Sequence, residues 1–121
     1  MTPTLRTAAL LCSLFLVACG QDPAGPSVIE QESRTLQPLD SNLAKIYNRS
    51  CKNCHTIAAT GAPLTGDSVA WAARMELGMD TLIDNVINGS GGMPPLGLCM
   101  DCDSEQFEAL INFMVAPARK E

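Results

Sequence analysis

The chain has 121 residues, 8 Lys and Arg against 13 Asp and Glu, a formal net charge of −5, and six cysteines. That length holds one domain, and the acidic balance excludes a surface built to bind nucleic acid.

Met1 to Arg6 is short and carries one positive charge, and Thr7 to Ala18 is an apolar run containing Leu10, Leu11, Leu14, Phe15, Leu16 and Val17. The pattern predicts an export signal over residues 1–18, too short to span a bilayer as a helix. Ordinary cleavage sites carry small residues at −1 and −3, whereas Leu16-Val17-Ala18 puts a large Leu at −3 of Cys19. "LVAC" resembles the lipobox of bacterial lipoproteins, which implies Cys19 as the lipid-modified first residue of the mature chain. Several acyl chains there suffice for stable membrane attachment. Gly20 follows, without the aspartate that retains many lipoproteins in the inner membrane, so the resemblance favours outer-membrane attachment facing the periplasm. Loss of residues 1–18 removes Arg6 and no acid, leaving 7 basic and 13 acidic side chains, net −6. Residues 20–40, "GQDPAGPSVIEQESRTLQPLD", lack a sustained apolar period and read, with Cys19, as a flexible tether before a domain over 41–121.

Within that domain helical spacing occurs four times and strand-like alternation does not. Asp40 or Ser41 caps a first helix with Leu43, Ile46, Tyr47 and Ser50 on one face. A second helix follows Gly66-Asp67 through "SVAWAARMEL" to Gly78. "DTLIDNVIN", capped by Asp80 and closed at Asn88-Gly89, is the third. In the fourth, Asp103 and Gln106 resemble a capping box, and Phe107, Leu110, Ile111 and Met114 recur at i, i+3, i+4 and i+7 before Pro117. With Tyr47, Trp71, Phe107 and Phe113 as the aromatics of about 80 residues, the core is thin, and such domains usually need a staple.

Cys12 leaves with the signal and Cys19 takes the lipid, so four cysteines remain as two C-x-x-C pairs, Cys51/Cys54 and Cys99/Cys102. Together they could build a tetrahedral zinc site. Against zinc stand the oxidising compartment, the 44 residues between the pairs, and His55 directly behind Cys54. A thioredoxin-like dithiol lacks its strand-helix-strand surroundings. Cys51-Lys52-Asn53-Cys54-His55 is also the attachment signature of a c-type haem, with both thiols adding to vinyl groups and the imidazole binding iron. His55 is the only histidine, so the sixth position is a methionine or open. Met75, Met79, Met100 and Met114 sit at helical spacing or beside cysteines and read as core filler. Met93 lies in "GSGGMPPLG", a glycine-rich loop stiffened by two prolines, and is the candidate axial ligand; the alternative is a loop methionine packed on the core.

C-x-x-C-H, "GAPLTGD", "WAAR", "GMDTL", "INGSGGMPPLG" and "CMDCD" before an amphipathic helix follow one another in an order that resembles class I c-type cytochromes, most closely the cytochrome c5 group, over about residues 43–116. The resemblance implies an all-α fold of about four helices around one covalently bound haem c, with first and last helices crossing. It implies Cys51 and Cys54 as thioether sites, His55 and Met93 as axial iron ligands, and the Pro63 carbonyl as acceptor for the other ring N–H of His55. Trp71 and Arg74, three apart on a helix, would face a haem propionate, and Cys99–Cys102 would be a short disulfide shaping the segment after Met93. The family commonly has glycine at position 43, so Leu43 implies a wider or shifted helix crossing and a changed packing of Tyr47 on Phe113.

A histidine–methionine haem exchanges one electron and keeps no free coordination site. The expected function is therefore a non-enzymatic, monomeric, monohaem electron carrier of a respiratory chain, lipid-anchored at the periplasmic side of a Gram-negative membrane. It would meet redox donors and acceptors through small transient contacts. Lys45, Arg49 and Lys52 form a basic stripe before the attachment motif, either a solvated face or a dock for an acidic partner. Two other readings remain open: a haem sensor or minor peroxidase with a labile Met93, and a binding module stabilised by zinc on the four cysteines.

Overall fold

The structure, a computed structural model, describes residues 26–117; the expected signal segment and Cys19 lie outside them. Among the described residues the regular elements are helices and helical turns, plus one isolated bridge between Ser90 and Met93.

Helix α1 (Val28–Thr35) corrects the tether reading for this stretch. The Ser27 hydroxyl caps it by accepting the N–H of Glu30 at 3.2 Å, and Arg34 pairs with Glu30 at 2.6 Å, one turn back. Its buried residues are Glu30 and Ser33, and the Ser33 hydroxyl donates to the Glu30 carbonyl at 2.9 Å. A helix that buries polar side chains, each satisfied locally, leaves no apolar period to read.

Asp40 caps α2 (Ser41–Ile46), accepting the N–H groups of Asn42 and Leu43. The helix then widens into a π-turn, Tyr47–Cys51, where the Lys52 N–H reaches back to the Tyr47 carbonyl, and continues as α3 (Lys52–His55). A π-turn inserts one residue into the helical register and so re-aims whatever follows it; here that is the C-x-x-C-H segment.

A 3₁₀ turn at Ala58–Thr60 and a loop lead to α4 (Ser68–Met75), capped by Asp67 through the Ala70 N–H at 3.0 Å. Helix α5 (Met79–Asn88) starts at Gly78, without a side-chain cap. Asp80, expected as its cap, lies inside the first turn, where its charge still faces the helix N-terminus favourably. A helical turn at Pro95–Leu98 precedes α6 (Ser104–Val115), which has the full Asp103/Gln106 capping box.

Tyr47, Trp71, Leu82, Leu110, Ile111 and Met114 form the buried core, with Leu43, Ile46, Met75, Met79, Ile83, Val86 and Phe113 packed against it. Tyr47 meets Phe113 edge-to-face with ring centroids 5.0 Å apart. Leu43 packs against the same core, and the Tyr47–Phe113 contact is present with it. Met75, Met79 and Met114 fill core space as expected, but Met100 is 77% exposed on the loop between Cys99 and Cys102 and is no core residue.

Candidate functional site

His55 closes α3 and is buried, 6% exposed. Its Nδ1 lies 2.8 Å from the Pro63 carbonyl oxygen, the contact the sequence resemblance implied. Nδ1–H donates there, which fixes the tautomer and leaves Nε2 with no hydrogen-bond partner among the described residues. Burial pulls the His55 pKa below its ordinary value; the Pro63 carbonyl opposes that shift and the Arg74 charge adds to it. The ring is thus held neutral, the form in which imidazole ligates a metal.

The loop beneath His55 is secured by groups the sequence reading did not single out. The Thr65 N–H donates to the His55 carbonyl at 2.8 Å and the Gly66 N–H to the Met114 carbonyl at 2.8 Å. Tyr47 and Thr65 share a hydroxyl–hydroxyl bond at 2.9 Å. On the outer side, Arg34 of α1 donates from Nε to the Thr56 carbonyl at 3.4 Å. None of these has a motif, since each joins residues far apart in sequence.

Cys51 and Cys54 carry free thiols, the first half-buried and the second exposed. Burial, reinforced by the neighbouring Cys54, pushes the Cys51 thiol up to about 11, so it is protonated at neutral pH. Cys99 and Cys102 are joined to each other as a disulfide, Cα atoms 5.4 Å apart. In this arrangement the two sulfurs face each other and not Cys51 and Cys54, whereas a four-cysteine zinc site would need all four as thiolates.

Met93 lies on the loop between α5 and the Pro95 turn. Its N–H donates to the Ser90 carbonyl at 2.9 Å and its carbonyl accepts from the Ser90 N–H at 3.1 Å. Gly89 and Gly97 make this turn possible. A side chain on Gly89 would stand 2.8 Å from the Met93 carbonyl oxygen, and one on Gly97 would stand 3.1 Å from the Met93 methyl.

Trp71 and Arg74 share α4 but not a role. The Trp71 indole N–H is donated to the Leu64 carbonyl at 2.9 Å, so it is not available to a propionate as expected. Instead the buried indole stacks beside the His55 ring, centroids 5.9 Å apart and planes 20° apart. Arg74 donates to the Ala70 carbonyl at 2.5 Å. It borders an open depression of about 360 Å³ with Pro63, Leu64 and Ala70, and makes no ion pair among the described residues.

Arg49 leaves the basic stripe. Its guanidinium lies 2.5 Å from Asp101 Oδ1 and 3.2 Å from Cys99 Sγ, so this half-exposed side chain is held at the Cys99–Cys102 loop.

Two free thiols on one turn, a buried neutral imidazole with one nitrogen committed and one open, and a methionine on a glycine-permitted loop form a donor set that fits a covalently attached haem. The family model that matches residues 38–114 is described as cytochrome C oxidase, cbb3-type, subunit III. Cytochrome c5 of Azotobacter vinelandii is 38% identical over 71 residues, 57% of this chain and 86% of the relative. Cytochrome c-555 of Chlorobaculum tepidum is 35% identical over 77 residues, 60% of this chain and 71% of the relative. A chain in the crystal structure of an electron transfer complex of nitrite reductase with cytochrome c superposes with a TM-score of 0.57 at 36% identity, covering 67% of this chain and 99% of that one. With all-helical architecture, C-x-x-C-H and these relatives in agreement, the chain belongs to the c-type cytochromes, as a c5-like electron carrier with covalently bound haem c.

Proposed function

We propose that the protein is a lipid-anchored, monomeric, monohaem carrier of single electrons in a respiratory chain on the periplasmic side of a Gram-negative membrane. In this reading Cys51 and Cys54 would hold the haem by thioether bonds, and His55 and Met93 would ligate its iron. The observation that carries it is the Pro63 carbonyl on His55 Nδ1 at 2.8 Å, which leaves the other ring nitrogen uncommitted on the residue that follows Cys54, with both attachment thiols free. Bound haem supplies a ferrous/ferric couple. The chain's own residues do the rest: Pro63 strengthens His55 as a ligand, and the Met93 thioether raises the potential relative to a second imidazole. Arg74, with no carboxylate partner among the described residues, is suited to an anionic propionate. His55 is the only histidine, so no second imidazole serves as an acid or base for peroxidase-like chemistry.

Anchoring rests on "LVAC" and the apolar run before it, with Gly20 favouring the outer membrane. Because α1 begins at Val28, residues 20–27 are the reach between Cys19 and the domain, at most ~28 Å fully extended. Among the described residues no helix is long and apolar enough to cross a membrane. A redox protein as partner is supported by the solved relative, whose crystal holds cytochrome c with nitrite reductase.

Absorption spectra of protein co-expressed with a haem-attachment system test the reading. Expected are a c-type ferrous spectrum unmoved by carbon monoxide and the weak long-wavelength ferric band of methionine ligation. A ferrous form that binds carbon monoxide readily would assign the protein to sensing or catalysis instead. Cys19→Ser should release the protein from membranes, and retention there would refute the anchor.

A further inference from the structure

We propose that Arg49 is a positioning residue for Met93, pinning the disulfide loop behind the methionine to the helix that carries the attachment cysteines. The inference rests on Met93 as the distal ligand. Arg49 stands two residues before Cys51, and its partners Cys99 and Asp101 follow Met93 by six and eight. One terminal nitrogen reaches both, at 3.2 Å from Cys99 Sγ and 2.5 Å from Asp101 Oδ1. The guanidinium therefore bridges the histidine side and the methionine side of the site.

The intervening segment transmits this hold. From Pro94 to Cys102 it is a run of short turns: Gly97 N–H to Pro94 carbonyl at 3.0 Å, Cys99 N–H to Leu96 carbonyl at 2.8 Å, and Cys102 N–H to Cys99 carbonyl at 3.2 Å. Leu96 and Leu98 have φ of 58° and 64°, the left-handed region that a side chain disfavours and that persists where surroundings over-determine it. Leu98 is 68% exposed, so its own burial does not hold it there. The constraints at hand are the buried Cys99 in its disulfide and the Arg49 bridge to it. The Met93 methyl rests against Gly97 inside this segment, so a shift of Cys99 is passed to the methionine.

The pair itself is open to solvent, with side chains 51% and 68% exposed. Exposed ion pairs add little to global stability. Its effect is therefore sought in the local opening of the methionine loop.

The test uses the haem-loaded full chain and its Arg49→Gln, Asp101→Asn and double variants. Three readouts are followed: the pH at which the ferric methionine band disappears, the rate of carbon monoxide binding to the ferrous form, and the thermal midpoint. Loss of an exposed pair should favour loop opening about two- to fivefold. The methionine band should then vanish about half a pH unit lower and carbon monoxide bind faster by the same factor, with little change in melting. Asp101→Asn, which alters only an exposed side chain, should reproduce the effect, and the double variant should add nothing. It also serves alone should Arg49→Gln fail to take up haem. A parent protein without the methionine band overturns the ligand reading and this proposal with it. A parent band whose pH midpoint and carbon monoxide rate are unmoved in the variants overturns the proposal alone.

Discussion

The hydroxyl of Tyr47 lies 2.9 Å from that of Thr65, and both residues are wholly out of solvent. Tyr47 sits at the start of the π-turn that leads into Cys51, and Thr65 donates its backbone N–H to the His55 carbonyl. The bond thus ties the helix before the site to the loop beneath it. Tyr47→Phe keeps the ring on Phe113 and leaves the Thr65 hydroxyl buried and unpaired. The expected cost is about 1–3 kcal/mol, seen as a lower denaturant midpoint of the haem-loaded protein with no change in slope. Tyr47→Phe combined with Thr65→Val should recover part of the loss; strict additivity would show the two hydroxyls to be independent.

Gly89→Ala should displace Met93. Gly89 has φ +81°, and an added side chain would meet the Met93 carbonyl oxygen at 2.8 Å and the Pro95 nitrogen at 3.0 Å, both backbone atoms that cannot swing away. Left-handed backbone alone costs about 1–2 kcal/mol, and the contact adds to it. The ferric methionine band should weaken and carbon monoxide should bind. Gly92→Ala, where nothing stands within 4 Å and φ is ordinary, should leave both unchanged.

The Arg49–Asp101 pair has a definite pH window. The Arg49 guanidinium holds the Asp101 carboxyl below its ordinary 3.8. A carboxylate depressed in the folded state contributes stability that is present above its unfolded pKa and lost as pH falls through its folded one. The difference between wild type and Asp101→Asn should therefore be constant from neutral pH down to about 4 and vanish below. Acid titration of the methionine band in both proteins measures it, and a difference that persists at about pH 2, below the carboxylate range, would dismiss the pair as its source.

A domain beginning at Pro38, exported behind a cleavable signal, tests what α1 contributes. It loses the Arg34 bond to the Thr56 carbonyl and the Leu36 contact over Gly66, yet keeps residues 38–114, the span shared with the family. It should still attach haem and show the methionine band, with stability lower by about 1–2 kcal/mol. Failure to attach haem would make α1 part of the site.

By itself the sequence was enough for the haem c cofactor and the order of the main helices. Cys51, Cys54 and His55 are adjacent, and Asp40, Asp67 and Asp103 cap helices through N–H groups two or three residues on, so spacing alone exposes them. Interactions between distant segments escaped it. Nothing in "WAAR" shows that the Trp71 N–H is taken by Leu64, and nothing in "NRSC" shows that Arg49 reaches Asp101. Helix α1 escaped for a different reason, because it buries Glu30 and Ser33 and hydropathy registers only apolar burial. Local hydrogen bonding and covalent spacing are written along the chain, whereas partners of buried polar and charged groups are chosen by which surfaces the core brings together.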